Sequence, residues 1–349
     1  MEHVLVSDSV ERRVTVADIA AEAGVSRATV SKVLNGRADV APATRAQIEA
    51  MLVERGYVPT KRTKRAVTAK RRGGLIEMLF NDASTPWAAE MIRGGEAAAR
   101  AARVGIVVSV LESGPGQAQQ WLEDVSDRGS RGIVLALSEL SPADHKRIAK
   151  LGVPVILVDP VGDFDSDSPS MGAGNWGGGM AATRHLIDLG HRRIATITGP
   201  MRFLCSQARL AGYRAALERA GIPADDRLVK HGDFHYSSGL KSALALLDQS
   251  DPPTAIFAAN DEQATGVYAA IQQRGLSVPG DMSVVGFDDV PVAQWISPAL
   301  TTVRQPIAEL GALAIRTLLA HEEGAELPQG RVELSTKLVV RASTARPAG

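Results

Sequence analysis

The 349-residue chain contains a single cysteine, Cys205, which excludes an intramolecular disulfide and any zinc site built from cysteines. Aromatic residues make up only 4% of it, so a Trp or Phe in a turn carries more information than usual. No apolar run approaches the ~20 residues that cross a bilayer, so no membrane partner is expected. Residues 1–13 lack a basic start and a long apolar stretch, so no signal peptide is expected and the compartment is the cytoplasm. The seven histidines form no ligand cluster, and no nucleophile is accompanied by a base and an orienter. No metal, cofactor or catalytic activity is expected. What remains is 45% apolar and 22% charged, an ordinary globular composition, over a length that suits two or three domains.

Net charge is absent too, but the zero is an average. Residues 1–72 carry 14 Lys and Arg against 8 Asp and Glu, a net of +6, and the remainder carries −6. A small basic head on a larger acidic body suggests that the head meets a polyanion. Seven of those 14 cations crowd into 61–72. By itself such a run also fits a solvated linker.

From Thr15 the head reads as helical. Thr15 can cap the next turn, Asp18 suits the positive end of a helix dipole, and Ile19, Ala20 and Ala23 share a face. Gly24 stops this helix, and Ser26 caps a second one over Arg27 to Leu34, with Val30, Val33 and Leu34 inward. Pro42 opens a third in the first-turn position that proline favours. Two short helices joined by a Gly-containing turn, with a third against them, form a helix-turn-helix. The outward positions of its second helix are Arg27, Ala28, Thr29, Ser31 and Lys32. Arg27 can pair bidentately with guanine, Ala28 offers only a methyl contact, and Thr29 and Ser31 suit phosphates. A three-helix module that binds protein has the same periodicity; the basic run beside it favours DNA.

The segments Val14-Thr15-Val16-Ala17-Asp18-Ile19-Ala20, Ala23-Gly24-Val25-Ser26, Thr29-Val30-Ser31-Lys32-Val33-Leu34-Asn35-Gly36 and Gly56-Tyr57-Val58-Pro59 closely resemble the head of the lactose-repressor (LacI/GalR) family. The resemblance implies a dimer on a near-palindromic operator in double-stranded DNA, with Arg27, Ala28 and Lys32 in base-reading positions. It adds Thr15, Ser26, Asn35 and Tyr57 to the DNA-facing set, and after Tyr57 a hinge segment with Lys64, Arg65 and Ala66. In the family a leucine from this hinge wedges into the minor groove; here Ala66 stands in its place, which predicts a weaker kink.

From Gly74 apolar runs such as Leu75–Leu79, Ile106–Val110, Ile133–Leu137, Val155–Val158, Ile194–Thr198, Ala255–Ala258 and Ser283–Gly286 alternate with helical stretches such as Ala88–Ala102, Gln117–Asp127, Ala208–Ala220 and Asp261–Arg274. This alternation predicts an α/β body of two lobes with parallel sheets, ligand binding falling at the carboxyl ends of the strands between them. The expected division is therefore 1–59, an all-α helix-turn-helix domain; 60–73, a basic hinge; and 74–349, a two-lobed ligand-binding and dimerisation domain.

Arg209 is read as lying just before a helix, where its fork of donors suits vicinal hydroxyls or a carboxylate. Asn260, Asp288 and Gln305 fall near strand ends, and Phe234 and Trp87 read as loop aromatics suited to stacking on a sugar. The family resemblance extends through this part, in Arg209-Leu210-Ala211-Gly212-Tyr213, Ala259-Asn260-Asp261, Val284-Val285-Gly286-Phe287-Asp288-Asp289 and Leu300-Thr301-Thr302-Val303-Arg304-Gln305. It implies a body like periplasmic sugar-binding proteins, whose ligand controls DNA affinity, and it implies ligand contacts from Arg209, Asn260, Asp288 and Phe234, then Asp159, Gln305 and Trp87.

Gly172-Ala173-Gly174-Asn175-Trp176-Gly177 satisfies the dinucleotide fingerprint, but the preceding strand is expected to end near Val158, so no nucleotide site is expected. The tail carries no leucine heptad, which favours a homodimer over a coiled-coil tetramer. The resulting expectation is a ligand-responsive DNA-binding regulator, a repressor, with a small sugar as effector, either a pentose or a β-linked disaccharide. Two alternatives stay open: a nucleobase-type corepressor, or a soluble sugar receptor without DNA specificity.

Overall fold

The computed structural model describes residues 15–34, 40–55, 74–111, 117–137, 140–161 and 168–348. It separates into two units, Met1–Arg72 and Gly73–Gly349.

In the first unit, α1 (Val16–Ala23), α2 (Arg27–Leu34) and α3 (Pro42–Glu54) pack around Ile19, Ala20, Val30, Val33, Val40 and Ile48. The Thr15 hydroxyl accepts from the Asp18 amide, and the Asp18 carboxylate accepts from the Thr15 amide at 2.8 Å, a reciprocal cap. Gly24 follows α1 in the left-handed region, at φ 64°. The Ser26 hydroxyl accepts from the Thr29 amide at 3.1 Å and so starts α2. Arg55, beyond α3, pairs with Glu22 of α1 at 2.6 Å.

The second unit holds two six-stranded sheets. The first is built by β1 (Ile76–Phe80), β2 (Ile106–Val110), β3 (Gly132–Ala136), β4 (Val155–Val158), β5 (Ser170–Ala173) and β11 (Arg331–Leu334), in the order β11-β5-β4-β3-β1-β2 and parallel throughout. The second is built by β6 (Ile194–Thr198), β7 (Val229–His231), β8 (Ala255–Ala258), β9 (Ser283–Asp288), β10 (Thr301–Arg304) and β12 (Lys337–Val339), in the order β12-β10-β9-β8-β6-β7, antiparallel only at β12. The sheets are covered by α4 (Pro86–Ala101), α5 (Gln117–Arg128), α6 (Pro142–Leu151), α7 (Asn175–Asp188), α8 (Leu204–Arg219), α9 (Tyr236–Leu247), α10 (Asp261–Gln273), α11 (Val292–Trp295) and α12 (Ile307–Glu322). The short strands β5, β7, β10, β11 and β12 add to the seven that the apolar runs predict. β5, Ser-Met-Gly-Ala, has no β-branched residue; its neighbours in the sheet hold it extended, not its own propensity.

The chain passes between the lobes three times: at Gly174, between β5 and α7; around Gln305 and Pro306, between β10 and α12; and between β11 and β12. The first and third crossings are tied together, the Gly174 amide donating to Leu334 O at 2.9 Å and the Thr336 hydroxyl to Gly174 O at 3.2 Å. Because of the second crossing, α12 lies in the first lobe, where Leu310, Ala314, Ile315 and Leu318 join Ile76, Met78, Met91 and Val134 in one core.

Three helix pairs approach so closely that each helix presents a glycine to the other's backbone. Gly94 of α4 lies against Ala308 O, and Gly311 of α12 against Met91 O. Gly179 of α7 lies against Arg209 O and Gly212 of α8 against Trp176 O, while Gly239 of α9 and Gly266 of α10 repeat the pattern with Gln263 O and Tyr236 O. A Cβ at any of these positions would overlap a carbonyl that cannot rotate away. Gly311→Ala is therefore expected to lower the unfolding free energy of the body by about 1–3 kcal/mol through overpacking. Urea denaturation checks this, and an unchanged midpoint would show that α12 can slide on α4 without loss.

Candidate functional site

Between the lobes the strands' carboxyl ends face one another across a cleft. Six non-glycine residues among those described have positive φ, and four of them line this cleft: Leu137 after β3, Asp159 after β4, Phe234 after β7 and Asp288 at the end of β9. Strained backbone at four strand ends on one cavity is a mark of a binding site, independent of side-chain chemistry.

The deeper compartment, of about 60 Å³, is lined by Thr85, Trp87, Leu137, Asp159, Cys205, Arg209, Phe234, Asn260 and Asp288. It brings together six of the seven residues proposed from sequence. Gln305 stands one step back: it is buried and donates from Nε2 to Asp288, fixing that carboxylate from behind. Two local expectations are corrected. Arg209 is in the second turn of α8 and not before a helix, and the helix begins at Leu204, four residues ahead of Ala208, with the buried Cys205 and Ser206 in its first turn. Trp87 is in the first turn of α4, where Thr85 caps the helix and Pro86 opens it, and its ring is buried.

Arg209 is the centre of the compartment. Its guanidinium lies 3.7 Å from the centroid of the Phe287 ring and 5.9 Å from that of Phe234. Nε donates to Asn175 Oδ1 at 2.8 Å and Nη1 to Ala259 O at 2.6 Å, with Asp288 Oδ1 3.7 Å from Nη1. Nη2 is the nitrogen that none of these contacts uses. Asp159 is held within its own lobe by Arg331 Nη2 at 3.2 Å and from the other lobe by Asn175 Nδ2 at 3.4 Å. Asn260 caps α10 through the Gln263 amide and donates to Phe234 O at 2.9 Å, which fixes the Phe234 loop. Burial pushes the Cys205 thiol up to about 12, so it is an inert wall of the pocket.

Sequence reasoning missed Asn175 and Arg331. Asn175 lies inside the glycine motif Gly172–Gly177, and the strand before that motif does not end near Val158: β5 runs from Ser170 into its first two residues. The motif is still no nucleotide site, because β5 belongs to one lobe and α7 to the other, so no βαβ unit forms. The Asp159 carboxylate also faces Asn175 where a phosphate would sit. Arg331 gave no signal; it reaches Asp159 from a strand 172 residues away in sequence. No group of His, Cys, Asp and Glu among the described residues could hold a metal ion.

In the head, Arg27, Ala28 and Lys32 are exposed on one side of α2, and Thr29 is half-buried with its hydroxyl 2.9 Å from that of Ser26. The Ser31 side chain and residues Asn35, Tyr57, Lys64, Arg65 and Ala66 lie outside what the structure describes.

Residues 15–60 match the model for bacterial regulatory proteins of the lacI family, and residues 183–344 match a periplasmic binding protein-like domain. The ribose operon repressor of Escherichia coli K12 is 35% identical over 330 residues, spanning 94% of this chain and 99% of its own. The chain belongs to the lacI family. Among solved structures, the transcriptional regulator CelR in complex with cellobiose superposes with a TM-score of 0.72 at 33% identity, covering 95% of this chain and all of its own. The lac repressor dimer bound to operator and the anti-inducer ONPF does so with 0.71 at 28% identity, covering 96% and all of its own. The lacI-family chain is thus a DNA-binding transcriptional regulator and not an enzyme. No helix among its described residues is long and apolar enough to cross a membrane.

The electrostatics of the regulator's cleft yield a pH dependence. Burial pushes Asp288 up to about 7, outweighing the opposing pull of Arg209 and Gln305, and the buried Asp261 behind it is raised as well. An unfolded Asp titrates near 3.9, so between the two values the folded state holds a proton that the unfolded chain releases. This contribution to stability is complete below about pH 4 and is lost as pH rises through about 7. Unfolding free energy should therefore fall between about pH 4 and pH 7, and Asp288→Asn should flatten that fall in urea titrations. An unaltered slope would place the titrating group elsewhere.

Proposed function

We propose that the chain is a homodimeric cytoplasmic repressor whose affinity for a near-palindromic operator is set by a small sugar in the interlobe cleft. The observation that carries the effector class is the arrangement around Arg209: Nη2, the Asp288 and Asp159 carboxylates and two aromatic rings on one small compartment. Adjacent hydroxyls of a sugar present donors and acceptors to the carboxylates and the guanidinium, while ring C–H faces lie against Phe234 and Trp87. The names of the relatives support the same class, one a repressor of a ribose operon and one a regulator complexed with cellobiose.

Control follows from the three crossings. A ligand held by Asp159 of one lobe and by Arg209 and Asp288 of the other favours one angle between the lobes. If paired heads require another angle, ligand and operator weaken each other by the same factor. Arg27, Ala28 and Lys32 read base edges at the start of α2, and Thr15, Ser26, Thr29, Ser31, Asn35 and Tyr57 position it on phosphates. Lys64, Arg65 and Ala66 of the hinge complete the DNA-facing set. Gln305 steadies Asp288, and Asn260 steadies Phe234.

Two measurements test this reading. Sugars, sugar phosphates, nucleosides and nucleobases are screened by thermal unfolding, where a ligand at 100 times its Kd stabilises the native state by about 2.7 kcal/mol. A shift with sugars, lost in Phe234→Ala, is expected; a shift with nucleobases alone would replace the effector class. For the head, selection of binding sites from random DNA should give a near-palindrome. Arg27→Ala should lose about 1–3 kcal/mol of discrimination at one base of each half-site. The same preferred sequence from both proteins would remove Arg27 from the reading surface.

A further inference from the structure

The small compartment around Arg209 opens into an outer chamber more than ten times its size. This chamber, of about 690 Å³, is lined from the first lobe by residues including Asn81 and Asp82, and from the second by Arg202, His231, Asp233 and His235. Trp87 and Phe234, with Thr85 and Leu137, line both spaces and so form the waist between them. The lobes already meet at the chamber's mouth, where His235 Nε2 lies 3.9 Å from Asp82 Oδ2 across the cleft, so the volume is not that of lobes splayed apart.

We propose that the outer chamber is a second sugar subsite, and that the effector is an oligosaccharide of at least two rings, with one ring in the Arg209 compartment, the linkage at the aromatic waist and the next ring between Asp82 and Arg202. The proposal rests on the sugar reading above. A single ring is smaller than the drug-sized ligands that fill clefts of roughly 300–1,000 Å³, and one ring gripped by Arg209 would leave most of the chamber in water. The chamber is also equipped for hydroxyls. Asp82 is held in place by Ser84, whose amide and hydroxyl both donate to Oδ1 at 2.7 Å, which keeps its carboxyl below the usual range and leaves Oδ2 toward the cleft. On the facing wall, the Arg202 guanidinium lies 5.0 Å from the centroid of the Phe203 ring, and that ring is 6.0 Å from Phe234. An ionised acceptor on one lobe and a cation braced on an aromatic pair on the other can hold a second ring between the lobes.

Isothermal titration of the full-length protein tests the subsite, with cellobiose, maltose, lactose and xylobiose against glucose, galactose, xylose and ribose. At least one disaccharide should bind tenfold or more tightly than either of its monosaccharides. Asp82→Ala and Arg202→Ala should each remove most of that advantage and leave the monosaccharide Kd unchanged, a control that also reports an intact fold. A monosaccharide bound as tightly as every disaccharide overturns the subsite and leaves the sugar reading standing. So does an advantage that survives both substitutions. Silence with every sugar overturns both.

Discussion

The body of this protein turns on one buried cation. Arg209 lies on the ring of Phe287, and its two engaged nitrogens reach Asn175 at the first crossing and Ala259 at the end of β8. A guanidinium 5% exposed is tolerable only with compensating partners, because an unpaired buried charge costs several kcal/mol. Meeting that demand places Asp288 and Asp159 near it, and Gln305 and Arg331 behind those. The strained backbone at Asp159 and Asp288 is the geometry that turns the carboxylates inward. The polar contacts run from Arg331 through Asp159, Asn175, Arg209 and Asp288 to Gln305, and so pass from one lobe to the other by way of two of the three crossings.

Seen this way, the cleft is more than a shape complementary to a ligand. On the proposed reading, a hydroxyl bonded to Asp159 or Asp288 would alter contacts that also link the lobes. Effector binding and lobe geometry would then share atoms, and their coupling would need no separate pathway.

Much of this was legible in the sequence because the signals were local. The head was readable from its caps, Thr15 with Asp18 and Ser26 with Thr29, and from the periodicity of Ile19, Val30 and Ile48. The central strands were readable as apolar runs, and Asn260, Asp288 and Gln305 as polar residues near strand ends. What could not be read depended on partners distant in sequence. β5 and β11 are strands because of what lies beside them, Arg331 meets Asp159 across most of the body, and Asn175 acquires its role only because the chain changes lobe at Gly174. The start of α8 was placed too late because Leu204, Cys205 and Ser206 have no capping group before them: Phe203 occupies the cap position without a side-chain hydrogen bond.

The three crossings also bear on how the chain is made. The first lobe begins at Ile76, yet its core needs α12 and its sheet needs β11, which lie beyond all of the second lobe but its edge strand β12. On the ribosome the second lobe can be largely complete while the first still exposes the apolar faces of β1, β3, β4 and α4. The lobe whose synthesis starts first thus waits for nearly the whole chain, and its exposed apolar faces are the surfaces on which a nascent form would aggregate.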